Sequence, residues 1–167
     1  MTARPIYLIS SRNAEFQRAH FAIFVPATTE PEQGTLIQAV GAPMTGYHLE
    51  FKRNYSPVND TQEHFSLTRL GEIDTENIVD PSTDIKSTDF EPQGNIEIAA
   101  SQISPPGISE NFLAPVNDVR AQSCLICICS YLFSRASLIR VYVFSQITND
   151  AKNGQWSTSA ISLGKGL

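Results

Sequence analysis

Charge is scarce in this chain, and basic charge most of all. Of its 167 residues, 17% are Asp, Glu, Lys or Arg, against about a quarter in ordinary globular domains. The formal net charge is -5, and no basic run exceeds the pair at 52–53. An acidic balance repels a phosphate backbone, so no nucleic-acid partner is expected. Cysteine is absent from the first 123 residues; Cys124, Cys127 and Cys129 then fall within six. Pairing among them would close loops too small for good disulfide geometry, so free thiols are expected. Their C-x-x-C-x-C spacing has no second cluster and no neighbouring histidine, so neither a metal nor any other cofactor is expected. The acidic stretch 72–91, with Asp80, Asp84, Asp89 and Glu91, lacks the glycine and closing glutamate of a calcium loop and reads as a solvated loop. The apolar stretch 6–9 is too short for a secretory leader, which makes a soluble, cytoplasmic protein the expectation. The longest apolar run, 124–147, contains Arg135 and Arg140. A central arginine is costly in lipid, so a membrane partner is not expected either.

What is present suits one domain: 41% of the residues are hydrophobic, enough for a real core. Residues 5–10 (PIYLIS) read as a short strand rich in β-branched and aromatic side chains. Residues 20–25 (HFAIFV) are apolar on both faces, as in a central strand covered on both sides. PATTEPEQG, at 26–34, breaks the chain with two prolines and a final glycine. TLIQAV at 35–40 is a second buried strand, with Gln38 its one polar side chain past Thr35. GAPMTG at 41–46 is a turn. YHLEFKRNY at 47–55 alternates, with Tyr47, Leu49 and Phe51 on one side and His48, Glu50 and Lys52 on the other, the pattern of a half-exposed antiparallel strand. The stretch 64–73 alternates too, with Phe65, Leu67 and Ile73 inward and Gly71 marking a bulge or the strand end.

Asn95 reads as the cap of a helix that stops before Pro105 and Pro106. A break in composition follows. Sixteen of the seventeen acidic residues precede residue 119. A buried helix over 120–134 and a strand over 138–144 are expected, with 1–147 a single domain and 148–167 a loose tail. Residues 119–150 are so unlike what precedes them that they also read like a retained intron translated in frame.

RAHFAIFVP, GTLIQAVG, EFKRNYSP, the LGEI near 70, IEIAASQISPP and NFLAPVND together resemble an uncharacterised family of small filamentous-fungal proteins, over residues 4–118. A second, more distant resemblance is mechanistic. A histidine opening a strand of the form H-F-A-I-F-V, a strand after a glycine, and a much later cysteine at a helix start are similar to the circularly permuted papain-like cysteine enzymes. These include the lecithin–retinol acyltransferase-like enzymes and relatives of the NlpC/P60 peptidases. The resemblance implies His20 as base, Gln38 as orienting group and Cys124 as nucleophile. In this chain LICIC follows the cysteine, where a polar helix is expected. The fold expected is α+β: an antiparallel sheet of about five strands with helices packed on one side, papain-like or related.

The chemistry these residue types allow is acyl transfer or amide hydrolysis. A thiolate is the reactive form of cysteine; a helix N-terminus and a nearby imidazole both favour it. A polar third group fixes the imidazole through its other nitrogen. The same residues also fit plain packing, because free cysteine behaves as a small apolar side chain and a core histidine can bond a backbone carbonyl. Three readings stay open: a cysteine hydrolase or acyltransferase, a non-catalytic domain binding a small molecule or peptide, and an accessory protein of a secondary-metabolite gene cluster. The Lys52–Arg53 pair reads as a surface patch, or, with Tyr55, as a grip for a carboxylate. Substrate and oligomeric state have no signal in the sequence.

Overall fold

The computed structural model of the chain describes residues 2–12, 19–42, 44–61, 64–105, 107–108 and 139–141, the last as backbone alone. Seven strands form one sheet in the order β6-β4-β3-β2-β1-β5-β7. They are β1 (Ala3–Arg12), β2 (His20–Pro26), β3 (Gly34–Ala42), β4 (Gly46–Tyr55), β5 (His64–Asp74), β6 (Ser87–Asp89) and β7 (Ile139–Val141). All neighbours are antiparallel. The first four strands are a meander. β5 then pairs with β1 rather than β4, so the chain between Tyr55 and His64 carries over to the far side of the sheet.

This corrects the α+β expectation. The described α-helices are α1 (Pro57–Asp60), a single turn, and α2 (Asn95–Ser101), of seven residues, beside one 3-10 turn at Thr75–Asn77. The fold is closer to all-β than to a papain-like sheet with helices packed along one side. Two local causes account for much of the difference. The stretch 87–89, without a single apolar residue, pairs with β4 through its backbone and through the Asp89 carboxylate on Arg53, not through an apolar face. The helix after Gly94 is short, ending at Ser101 well ahead of the prolines. Asn95 is not its cap: Gly94 takes that place, and the Asn95 amide donates to Asn77 Oδ1 at 3.0 Å.

Alternation along the strands gives the sheet two apolar faces. One carries Ile6, Leu8, Ile23, Val25, Ile37, Phe51, Leu70 and Ile73, and α2 packs against it through Ile96, Ala99 and Ala100. The other carries Ile9, Ala22, Phe24 and Leu36, with Tyr7, Tyr55 and Phe65 beside them. β2 stands at the middle of the seven strands and buries side chains on both faces, in keeping with its apolar sequence past His20. A register shift opposite Ile6 and Tyr7 lets both Leu70 and Ile73 reach the α2 face, while Leu67 is exposed. Gly34 is required by close approach: a Cβ there would lie 2.1 Å from the Val25 carbonyl oxygen.

The link 75–94 is tied down rather than solvated. Asp80 pairs with Arg4 at 2.7 Å and accepts the Thr28 N–H at 3.2 Å. Asn54, with φ 53 at a register shift in β4, donates to the carbonyls of Thr83 (2.6 Å) and Ile85 (2.9 Å). Arg53 is buried, not part of a surface patch. It forks onto Asp89 (3.0 Å twice) and onto Glu97 (2.5 and 2.9 Å), and lies over the Phe51 ring. Burial opposes its charge, but the two carboxylates outweigh it and hold the guanidinium above its ordinary value. Glu97 also accepts the Gln93 N–H at 2.8 Å, which satisfies an amide ahead of the α2 terminus. β7 falls inside the strand expected over 138–144. The helix expected over 120–134, the unusual composition of 119–150 and the tail 148–167 lie outside the described residues apart from β7. Among the described residues, no helix is long and apolar enough to cross a membrane.

Candidate functional site

The polar residues of β2, β3 and β4 on the face opposite α2 form a row. Ala22 of β2 is paired with Gln38, which sets His20 diagonally across from Gln38 on the same face. Gln38 is paired directly with Glu50, and Leu36 with Lys52. Direct cross-strand neighbours stand about 5 Å apart and diagonal ones about 7–8 Å, within reach of long side chains. His20 Nε2 lies 2.8 Å from Gln38 Oε1, and Gln38 Nε2 donates to Glu50 Oε1 at 2.8 Å. The Lys52 ammonium stands 3.9 Å from the same Glu50 oxygen and supplies a countercharge.

Burial falls off along this row in a useful way. Gln38 is 5% exposed, whereas His20 is exposed at the start of its strand. A buried primary amide without partners costs about 1–3 kcal/mol per unsatisfied group. Gln38 avoids that cost by bonding at both its oxygen and its nitrogen, so the side chain has one comfortable position. The imidazole of an exposed residue is thus anchored at Nε2 by a buried partner. Ser11 of β1 is paired with His20 across the other side and is itself buried.

His20 and Gln38 are therefore neighbours in space, 18 residues apart in the chain. Cys124 lies outside the described residues. Glu50 is the member that reading the sequence missed. It stands on the polar side of an alternating strand, where a carboxylate reads as solvated. The pairing depends on where the turn closes: Ala42 on Gly46 sets Gln38 opposite Glu50, whereas counting outward from a turn over 41–46 would set it opposite Leu49. His48, on the same side of β4, makes an edge contact with Phe90, ring centroids 5.4 Å apart. Among the described residues, no group of His, Cys, Asp and Glu could hold a metal ion. The arrangement suits proton transfer: an exposed imidazole fixed through one nitrogen by an amide and a carboxylate behind it.

Neither the curated proteins nor the solved structures contain a match to this chain. A family model described only as a family of unknown function, DUF6540, matches residues 6–159, beyond the 4–118 that carried the resemblance; the chain belongs to that family.

Proposed function

We propose that this protein is a cysteine-dependent hydrolase or acyltransferase in which His20 is the general base and Cys124 the nucleophile. The observation that supports the reading is the row His20–Gln38–Glu50, which anchors an exposed imidazole at Nε2 and leaves Nδ1 for the reacting group. The thiol proton passes to Nδ1 as the sulfur attacks an acyl carbonyl carbon. The C–S bond forms, the bond to the departing amine or alcohol breaks, and the imidazolium returns the proton to the leaving group. Water or another acceptor, deprotonated by His20, then cleaves the thioester and frees the thiol. The nucleophile comes from the resemblance to the permuted cysteine enzymes, which here is a likeness of residue order and not of fold. A reducing, cytoplasmic setting would keep the thiol free.

The test is the alkylation rate of each cysteine by iodoacetamide as a function of pH, in the wild type and in His20→Ala. An unperturbed cysteine titrates near about 8.5. The expected result is that Cys124 alone reacts quickly below about pH 7, and that this early reactivity disappears in His20→Ala. If all three thiols titrate together, or the variant changes nothing, the reading fails and a domain that binds a small molecule or peptide takes its place.

A further inference from the structure

We infer that Glu50 is a positioning residue: acting through Gln38, it decides which nitrogen of His20 carries the proton. The inference rests on reading His20 as the base, and it concerns how that base is kept in the reactive form.

An ionised carboxylate can only accept hydrogen bonds. The group of Gln38 that faces Glu50 must then be its NH₂, which leaves the amide oxygen facing His20 at 2.8 Å. An amide oxygen also only accepts, so Nε2 of His20 must carry its hydrogen. The neutral ring is thereby confined to the tautomer with its lone pair on Nδ1, the form that can take a proton there. Rotating the Gln38 amide by half a turn would set oxygen against carboxylate on one side and, once His20 is protonated, NH₂ against N–H on the other. Both contacts are repulsive, so Glu50 excludes the flip. The same arrangement serves the imidazolium, whose Nε2–H still points at the Gln38 oxygen. The row thus needs no rearrangement when the proton arrives.

Gln38 alone cannot do this. A glutamine side chain offers a donor and an acceptor at nearly the same place, and without a group behind it either could face the ring. The directional information lies in the charge of Glu50, with Lys52 beside it.

The experiment is long-range proton–nitrogen NMR on the ¹⁵N-labelled full chain above the pH at which the histidines titrate. The chain has three histidines, and His20→Ala identifies the signals of His20 by their loss. In the wild type the expected spectrum shows Nδ1 as the unprotonated nitrogen and Nε2 as the protonated one, with the second tautomer too sparse to move the shifts. Glu50→Gln keeps the shape but can donate as well as accept, so Gln38 adopts both orientations. The His20 shifts then move to intermediate values while the melting temperature stays close to that of the wild type. Gln38→Met removes the link altogether and should give the same mixing, so the inference stays testable if Glu50→Gln folds poorly. A wild-type ring protonated at Nδ1, or shifts unchanged in both variants, overturns the assignment. The result is separable from the proposed function. If the tautomer behaves as expected but Cys124 reactivity ignores His20, the relay stands and the nucleophile is wrong.

Discussion

Arg53 is a guanidinium with almost no water around it, its side chain 3% exposed, and every bond it makes crosses to a different part of the chain. Asp89, Glu91 and Glu97 lie 36, 38 and 44 residues away. Replacing it with methionine keeps the bulk but leaves two carboxylates without their cation, one of them buried. The expected loss is about 3–5 kcal/mol, read as a fall in the urea midpoint. Arg53→Lys should recover only part of it, because an ammonium cannot fork onto two carboxylates. Equal stability of wild type and Arg53→Met would show the network to be incidental. Asp80 makes a second residue-scale prediction. Burial works against its charge, but Arg4 and Thr28 outweigh that and hold the carboxyl below its ordinary value. The unfolded chain therefore binds the proton more readily than the folded one. Stability from this group is complete above the ordinary carboxylate range and is lost as pH falls through and below about 4. Melting temperature measured from neutral pH down to that region should fall less steeply in Asp80→Asn than in the wild type. Parallel curves would contradict the assignment.

At the scale of elements, the hairpin between β2 and β3 depends on one missing atom. Gly34→Ala would drive a methyl group into the Val25 carbonyl, backbone against backbone, with no flexible side chain to yield. The expected cost is about 1–3 kcal/mol, visible in thermal denaturation. α2 depends on its apolar side: Ile96 is 2% exposed within the main cluster. Ile96→Ala should cost about 2–5 kcal/mol; a change under about 1 kcal/mol would mean that the helix is not docked as described. Elements of this kind were unevenly legible in the sequence. The apolar block 20–25 and the alternation at 47–55 are signals of local periodicity, and strands stand at both. The strand at 87–89 has no such signal, since it forms against the edge of β4 and is held there by Asp89 on Arg53, a partner 36 residues back. The loop after β5 reads as acidic and solvated because the cations that hold it, Arg4 and Arg53, sit far back in the chain. His20 and Gln38 stand out as polar side chains in apolar strands. Glu50 does not, because a carboxylate on an alternating strand looks the same whether it faces water or a buried amide.

The whole molecule is organised around one sheet with apolar side chains on both faces, and the two faces do different things. One is closed by α2 and contains the main core, tied to the sheet by Arg53 and Glu97. The other places a polar row across three adjacent strands, graded from buried Gln38 to exposed His20. The α+β expectation calls for helices covering one side of the sheet. Here the seven residues of α2 are the helical part of that cover that the described chain contributes to the core. The claim that organises this account is that His20 serves a nucleophile on Cys124. The most direct measurement is to mix the protein with a p-nitrophenyl ester and locate the transferred acyl group by peptide mass spectrometry, in the wild type and in His20→Ala. The account predicts an acyl group on the peptide that contains Cys124 in the wild type and its loss in the variant. No acyl group on that peptide, or an equal amount in both proteins, would contradict it.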